Sequence, residues 1–111
     1  MYEVRWYEDE KGRCPAVEFL EGLQVGVRAK VATWLEKLEE KGPALPRPHA
    51  DVVRGKIREL RVVFGGNQYR LLYFFHGREI VVTHGFVKKS GRIPAREVER
   101  AERMRREFIE R

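Results

Sequence analysis

Two side chains in the second half of the chain are of types that can bind phosphate groups or transfer protons. Arg70 stands alone in the largely apolar stretch Tyr69–His76, so we do not expect it to be merely solvated. Its planar guanidinium could hold two phosphate oxygens, or it could pair with a carboxylate such as Glu59 and tie two strands together. His84 has an unperturbed pKa of about 6.5, which makes it the candidate for proton transfer near neutral pH. The alternative for His84 is a hydrogen-bonded structural role at a strand end.

The positive charge of the chain is concentrated around these two residues. Residues 54–92 contain nine lysines and arginines against two glutamates, a balance of +7, whereas the whole chain carries +6. The remaining residues therefore sum to −1. Such a concentration of charge on predicted strands, and not on a tail, indicates a surface that binds a polyanion.

The first half of the chain shows one strand pattern followed by two helix patterns. Residues Met1–Tyr7 alternate in the manner of a half-buried strand. Pro15 suits the first turn of a short helix, which is interrupted near Gly22. From Gln24 to Lys41 the apolar residues recur along one helical stripe, and Gly42-Pro43 ends that helix. We therefore expect one strand and two helices before residue 44.

The second half predicts a sheet and a last helix. We expect strands at Ile57–Phe64, Gln68–His76 and Glu79–Val87. Gly65-Gly66-Asn67 predicts a hairpin between the first two, so the three strands form an antiparallel meander. Residues Ala44–Arg54 hold two prolines and no periodicity, and are predicted to be a connection. A narrow apolar stripe predicts a helix over Pro94–Arg111, and the whole chain, residues 1–111, is expected to be a single α+β domain.

The composition excludes several classes of site. Cys14 is the sole cysteine, so the chain cannot form an internal disulfide or a cysteine-based metal site. The three histidines are scattered without ligand spacing, and we expect no metal and no other cofactor. No stretch approaches the roughly eighteen apolar residues of a membrane span, and the first residues lack a signal-peptide pattern. We therefore expect a cytoplasmic protein that does not bind membranes.

Three motifs and the order of the predicted elements are similar to those of a known family. The motifs are Gly55-Lys56-Ile57-Arg58-Glu59-Leu60-Arg61, Tyr69-Arg70-Leu71-Leu72-Tyr73 and His84-Gly85-Phe86-Val87-Lys88-Lys89. Together they resemble the RelE/ParE toxin superfamily, and most closely its phage-derived Gp49-like, HigB-type branch. The resemblance implies a RelE-like β-α-α-β-β-β-α fold. In that fold the sheet is small and mainly antiparallel, two N-terminal helices pack on one face, and a third helix ends the chain.

The resemblance also implies a function. The chain would be the toxin of a bacterial type II toxin–antitoxin pair. Most members of the superfamily cleave messenger RNA, usually on the ribosome and without a metal, by attack of the ribose 2′-OH. The implied partners are therefore messenger RNA, the ribosome and a cognate helix-turn-helix antitoxin. The ParE branch instead poisons DNA gyrase, so a non-nucleolytic, gyrase-binding toxin is the alternative.

Site residues follow from the matching motifs. Arg70 corresponds to the active-site arginine of the Tyr-Arg motif and Arg61 to the arginine of the Leu-Arg motif, while Lys88 and Lys89 match a basic pair that contacts RNA near the scissile phosphate. With the proton-transfer candidate added, the expected catalytic residues are Arg61, Arg70, His84 and Lys88. The residues expected to bind the RNA backbone in a salt-dependent manner are Lys56, Arg58, Lys89 and Arg92.

One departure from the family concerns the general base. Several relatives carry a tyrosine near the last helix that helps to activate the 2′-OH, whereas residues 90–111 contain no tyrosine and have Phe108 as their only aromatic residue. The base is therefore expected to be His84 or a lysine with a lowered pKa, and the alternative is that the protein is a weak or non-cleaving member of the family. Tyr69 and Tyr73 have the opposite parity to Arg70, and we expect both in the core under the two helices.

Overall fold

The computed structural model describes residues 1–88 and 91–111, which form one mixed sheet with helices on both faces. The elements are β1 (Glu3–Trp6), α1 (Pro15–Glu21), α2 (Val25–Lys41), a 3₁₀ turn (Gly42–Ala44), β2 (Ala50–Arg54), β3 (Ile57–Phe64), β4 (Asn67–His76), β5 (Glu79–Lys88) and α3 (Ala95–Glu110). This order confirms the predicted α+β fold, with two early helices and one late helix.

The sheet has the strand order β1-β5-β4-β3-β2. Strand β1 runs parallel to β5, with Glu3 opposite Glu79 and Trp6 opposite Val82. The other three pairings are antiparallel, and β3, β4 and β5 form the predicted meander. Helices α1 and α2 therefore carry the chain from one edge of the sheet, at β1, to the other edge, at β2.

Each face of the sheet is covered by a separate apolar cluster. Helices α1 and α2 cover one face, where Tyr69 and Tyr73 are buried among strand and helix residues as predicted. Helix α3 covers the other face, where Ala101 and Met104 pack on Phe74 and its neighbours. Residues that follow one another along a strand point to opposite faces, so β3 and β4 contribute side chains to both clusters. The face under α3 will be called the α3 face.

Helix α2 shows why the N-terminal half folds as it does. Its stripe of Val27, Val31, Leu35 and Leu38 is buried against the sheet, as the spacing predicts. The helix ends at Gly42, whose φ of 54° lies in the region that favours glycine. A Cβ at this position would lie 2.3 Å from the Tyr2 ring, so a side chain there is excluded by contact as well as by backbone conformation.

The prediction of a plain connection at Ala44–Arg54 is wrong, because residues 50–54 form the edge strand β2. This strand has a neighbour on one side only, and its register with β3 shifts between Val52 and Arg54. Val52 is exposed, so the strand lacks the alternation of apolar and polar residues that burial would impose. Edge pairing therefore adds a fifth strand that the hydrophobic pattern does not show.

A bulge in β5 decides which residues reach the α3 face. Tyr73 is opposite Val82, but Leu72 is opposite His84, so Thr83 is an extra residue on β5. The Thr83 hydroxyl donates to the Leu72 carbonyl oxygen at 3.2 Å across this gap. A one-residue shift exchanges the two faces of a strand, so the bulge turns His84 towards α3.

Candidate phosphate-binding site

Glu59 and two arginines form a buried charged cluster on the α3 face. Arg61 and Arg70 lie directly opposite each other on β3 and β4. The Nη2 atom of Arg61 lies 2.9 Å from Glu59 Oε2, and the Nη1 atom of Arg70 lies 3.2 Å from Glu59 Oε1. Glu59 and Arg70 are each only 6% exposed. The pairing of Arg70 with Glu59 across two strands, which the sequence analysis gave as an alternative, is therefore confirmed.

The remaining contacts fix the orientation of both guanidinium groups. Arg61 also donates to Asp51 Oδ2 at 3.3 Å and to the Pro48 carbonyl oxygen at 3.4 Å. Arg70 Nη2 donates to the Gln68 side-chain oxygen at 2.5 Å. Within residues 1–88 and 91–111, the buried Nε atoms of Arg61 and Arg70 have no hydrogen-bond partner. Both atoms are enclosed by the protein, although buried polar atoms are normally paired, so a ligand in a cleft would have to contact other atoms of the two guanidinium groups.

The two arginines differ in their electrostatic surroundings. The hydrogen bond to Glu59 raises the pKa of Arg61 above its usual value. Burial lowers the pKa of Arg70, the Arg61 cation lowers it further, and Glu59 opposes both effects. Arginine nonetheless stays protonated near neutral pH. The cluster therefore holds two cations and one central carboxylate, with Asp51 as a second carboxylate beside Arg61.

Two clefts make this cluster accessible. A cavity of about 360 Å³ is lined by Lys30, Trp34, Pro48, His49, Arg61, Val63, Gln68 and Arg70. A second cleft of about 400 Å³ is lined by residues 51–54 together with Glu59, Arg61, Arg92, Ile93, Ala95 and Val98. The first cavity contains both arginines, while the second contains Glu59. Since Arg61 lines both, a ligand in either cleft could reach its guanidinium.

His84 lies on the same face but does not open into these clefts. It is 1% exposed, its Nδ1 is 3.1 Å from the Thr83 hydroxyl, and its Nε2 is 3.0 Å from Glu97 Oε1 at the start of α3. Burial lowers the pKa of His84, the nearby Arg100 cation lowers it further, and Glu97 opposes both. This arrangement matches the alternative stated for His84, a hydrogen-bonded structural residue, because both ring nitrogens already have partners.

The other predicted site residues are spread over the molecule. Lys88, opposite Gln68 in the sheet, donates from Nζ to the Gly91 carbonyl oxygen and shares a small cleft with Arg92. Lys56 lines a separate cleft beside α3. Arg58 lies over the Phe75 ring, whose centroid is 5.4 Å from its Cζ, with the opposite parity to Arg61. The structure thus brings Arg92, but neither Lys56 nor Arg58, to the clefts of the cluster.

Lys89, expected to bind RNA, lies outside the residues that the structure describes. The positive charge counted along residues 54–92 is also partly neutralised in three dimensions, because Arg54 pairs with Glu102 of α3 at 2.7 Å. The RNA-binding roles of these cations stay predictions.

Three residues of possible function were not selected from the sequence. Glu59 was considered only as a partner of Arg70, although its place between two arginines makes it the central group. The other two are Trp34 and His49, whose rings stack with centroids 3.8 Å apart. The alternation of charged residues at Glu59 and Arg61 could have indicated from the sequence that Glu59 belongs to the site. No local pattern in the sequence connects Trp34 with His49.

A comparison with models of protein families shows which family the chain is related to. The model described as phage-derived protein Gp49-like (DUF891) matches residues 18–106. The chain belongs to the Gp49-like family. The match begins in α1, ends in α3 and includes Glu59, Arg61, Arg70 and His84, so the expected relationship to Gp49-like proteins is confirmed. A comparison of this Gp49-like chain with curated proteins gives no match. Among the described residues, none of the helices has the length and apolar character needed to cross a membrane.

The environment of His84 predicts how stability depends on pH. The pKa of His84 in the folded protein lies below its ordinary value of 6.5, so the unfolded chain binds the proton more readily. The free energy of unfolding should therefore decrease as the pH falls from about 7.5 to about 5.5. The expected slope is up to about 1.4 kcal/mol per pH unit. Urea unfolding at a series of pH values measures it.

In the variant His84→Gln, the free energy of unfolding should depend less steeply on pH, because the contribution of the imidazole is lost. His76→Gln is the matched control, because it makes the same substitution at a histidine whose side chain is 52% exposed. An increase in stability on acidification that depends on His84 would contradict the account, since it would mean that Glu97 holds the imidazole in its charged form.

Proposed function

We propose that this Gp49-like protein is the toxin of a bacterial type II toxin–antitoxin pair, and that it cleaves messenger RNA, on the ribosome, without a metal. The observation that carries the proposal is the Glu59–Arg61–Arg70 cluster, in which two oriented cations line accessible clefts. Membership of the Gp49-like family and the similarity of the motifs to those of RelE-like nucleases support the same activity.

The arginines provide the electrostatic part of such a reaction. Attack of the ribose 2′-OH on the adjacent phosphorus builds negative charge on the non-bridging oxygens, and the 5′-oxygen departs. Guanidinium groups that are already oriented stabilise this charge without reorganisation during the reaction. Hydrogen bonds to Asp51, Pro48 and Gln68 orient Arg61 and Arg70 in this way.

Glu59 is the candidate for accepting the proton of the 2′-OH. Its carboxylate contacts both guanidinium groups and lines a cleft, so a phosphate bound to the arginines would lie close to it. A general base must come within hydrogen-bond reach of the proton that it removes. His84 is less suited to that role in this arrangement, because it lines neither of the two clefts. We infer that Glu59, and not His84, activates the 2′-OH.

A non-nucleolytic toxin that binds DNA gyrase is the second candidate. The observation in its favour is that Glu59 already pairs with both arginines, so these residues could serve only to stabilise the sheet. Mapping of RNA 5′ ends after induced expression separates the two candidates. New ends in messenger RNA support the nuclease, whereas growth arrest with intact messenger RNA and a DNA-damage response would support the gyrase-binding toxin.

The partner that we propose is a helix-turn-helix antitoxin encoded by the neighbouring open reading frame. Its acidic or helical segments would cover the basic clefts, because complementary charge favours the association of proteins. Co-expression of both genes with a tag on one product should therefore yield a complex whose formation weakens at high salt. Purification of the tagged protein alone, at low salt and with both products expressed, would contradict this partner.

Replacement of Arg70 tests the proposed activity most simply. Arg70→Ala should reduce RNA cleavage by about 10²- to 10³-fold, the usual effect of removing one group that stabilises transition-state charge. The fold should survive, because Glu59 retains Arg61 as a partner. Cleavage of a messenger RNA is measured by primer extension, and folding by circular dichroism.

Arg13→Ala is the matched control. Arg13 also pairs with a carboxylate, Glu18 Oε2 at 2.9 Å, but its side chain is 67% exposed and lines neither of the two clefts. The Arg13→Ala protein should cleave messenger RNA at the rate of the unaltered protein. Unchanged cleavage by a folded Arg70→Ala protein would remove Arg70 from the mechanism.

A further inference from the structure

An aromatic pair forms part of the cavity that contains the two arginines. The rings of Trp34 on α2 and His49, next to β2, stack with centroids 3.8 Å apart and 24° between their planes. Both rings are partly exposed, and both line the cavity of about 360 Å³. The pair therefore presents planar aromatic surface to the same space in which Arg61 and Arg70 present their guanidinium groups.

Two lysines lie near this pair, and one of them, Lys30, lines the cavity. Lys37 Nζ lies 5.5 Å from the centroid of the Trp34 ring. Lys30 lines the cavity and donates to the Val63 carbonyl oxygen at 2.5 Å, which holds its ammonium group at the rim. Gln68 also lines the cavity, with its side-chain oxygen accepting from Arg70. Its amide could donate to the edge of a base.

The geometry points to a nucleotide subsite, in which one RNA base lies against the Trp34–His49 pair while its phosphate binds Arg61 and Arg70. Bases stack on aromatic side chains in most proteins that bind single-stranded nucleic acids, and this contact tolerates every base. The cavity volume lies at the lower end of the range for small-ligand sites, as expected for a single nucleotide. This inference rests on the proposed function, and it identifies which part of the substrate occupies the cavity.

Fluorescence of Trp34 can report binding directly. The chain contains two tryptophans, so the variant Trp6→Phe leaves Trp34 as the single reporter. The probes are a trinucleotide of 2′-O-methyl adenosine, which cannot be cleaved by 2′-OH attack, and an abasic trinucleotide with the same phosphates. The base-containing probe should bind about 5- to 150-fold more tightly than the abasic probe, the range measured for stacking of one base.

Two substitutions separate the base from the phosphate. His49→Ala should remove most of the difference between the probes and leave the affinity for the abasic probe unchanged, while His49→Phe should restore the difference. Arg70→Ala should weaken both probes by a similar factor. Glu36→Ala, an exposed position on α2 that does not line the cavity, is the matched control and should change neither affinity.

The outcomes distinguish this inference from the function on which it rests. Equal affinity of the unaltered site for both probes would overturn the nucleotide subsite while leaving the phosphate site intact, provided that Arg70→Ala still weakens binding. A difference between the probes that persists in a folded His49→Ala protein would overturn the role of the aromatic pair. If neither probe binds at low salt, both the subsite and the proposed RNA-binding function are wrong.

Discussion

The Glu59 carboxylate allows two arginines to lie directly opposite each other on neighbouring strands. Like charges in opposed positions of an antiparallel pair destabilise a sheet, and here the position is largely buried as well. Glu59 contacts both guanidinium groups, at 2.9 Å and 3.2 Å, and offsets this repulsion. The same contact holds the guanidinium groups in fixed orientations, so the interaction that stabilises the sheet also orients the groups that we propose bind phosphate.

The other elements of the fold set the positions of the residues in this cluster. The meander of β3, β4 and β5 gives the register that sets Arg61 against Arg70. The apolar cluster under α1 and α2 anchors the opposite face of the same strands, while the α3 face carries the charged cluster beside its own apolar residues. Contact of His84 with Glu97 ties the start of α3 to β5, beside the cleft that contains Glu59. His84 thus contributes by positioning the helix that forms one wall.

Much of the fold could be predicted from the sequence because burial imposes periodicity. The α2 stripe and the parity of Tyr69 and Tyr73 are consequences of packing, and the structure bears them out. Strand β2 could not be predicted in this way, because an edge strand with an exposed Val52 leaves no apolar alternation. The bulge at Thr83 was equally hidden, since it depends on pairing with β4 and not on local sequence.

The candidate site was predictable only in part, for a related reason. The motifs identified Arg61 and Arg70, and their proximity follows from the hairpin. What the sequence could not fix is which groups are free to act, because this depends on partners distant in the chain. Glu97 on α3 is hydrogen-bonded to His84, and the Trp34 ring on α2 stacks on the His49 ring beside the edge strand. Both contacts join segments whose relative placement is set by the folded sheet.

The chemical nature of the cleaved ends tests the central claim most directly. Purified protein is mixed with ribosomes and messenger RNA, free divalent cations other than those bound by the ribosome are kept low, and the termini of the products are analysed. Attack by the 2′-OH predicts a 5′-hydroxyl on one fragment and a 2′,3′-cyclic phosphate, or its hydrolysis product, on the other. Replacement of the scissile ribose by 2′-deoxyribose should abolish cleavage. Fragments with 5′-phosphate and 3′-hydroxyl ends, or cleavage of the deoxy substrate, would contradict the mechanism.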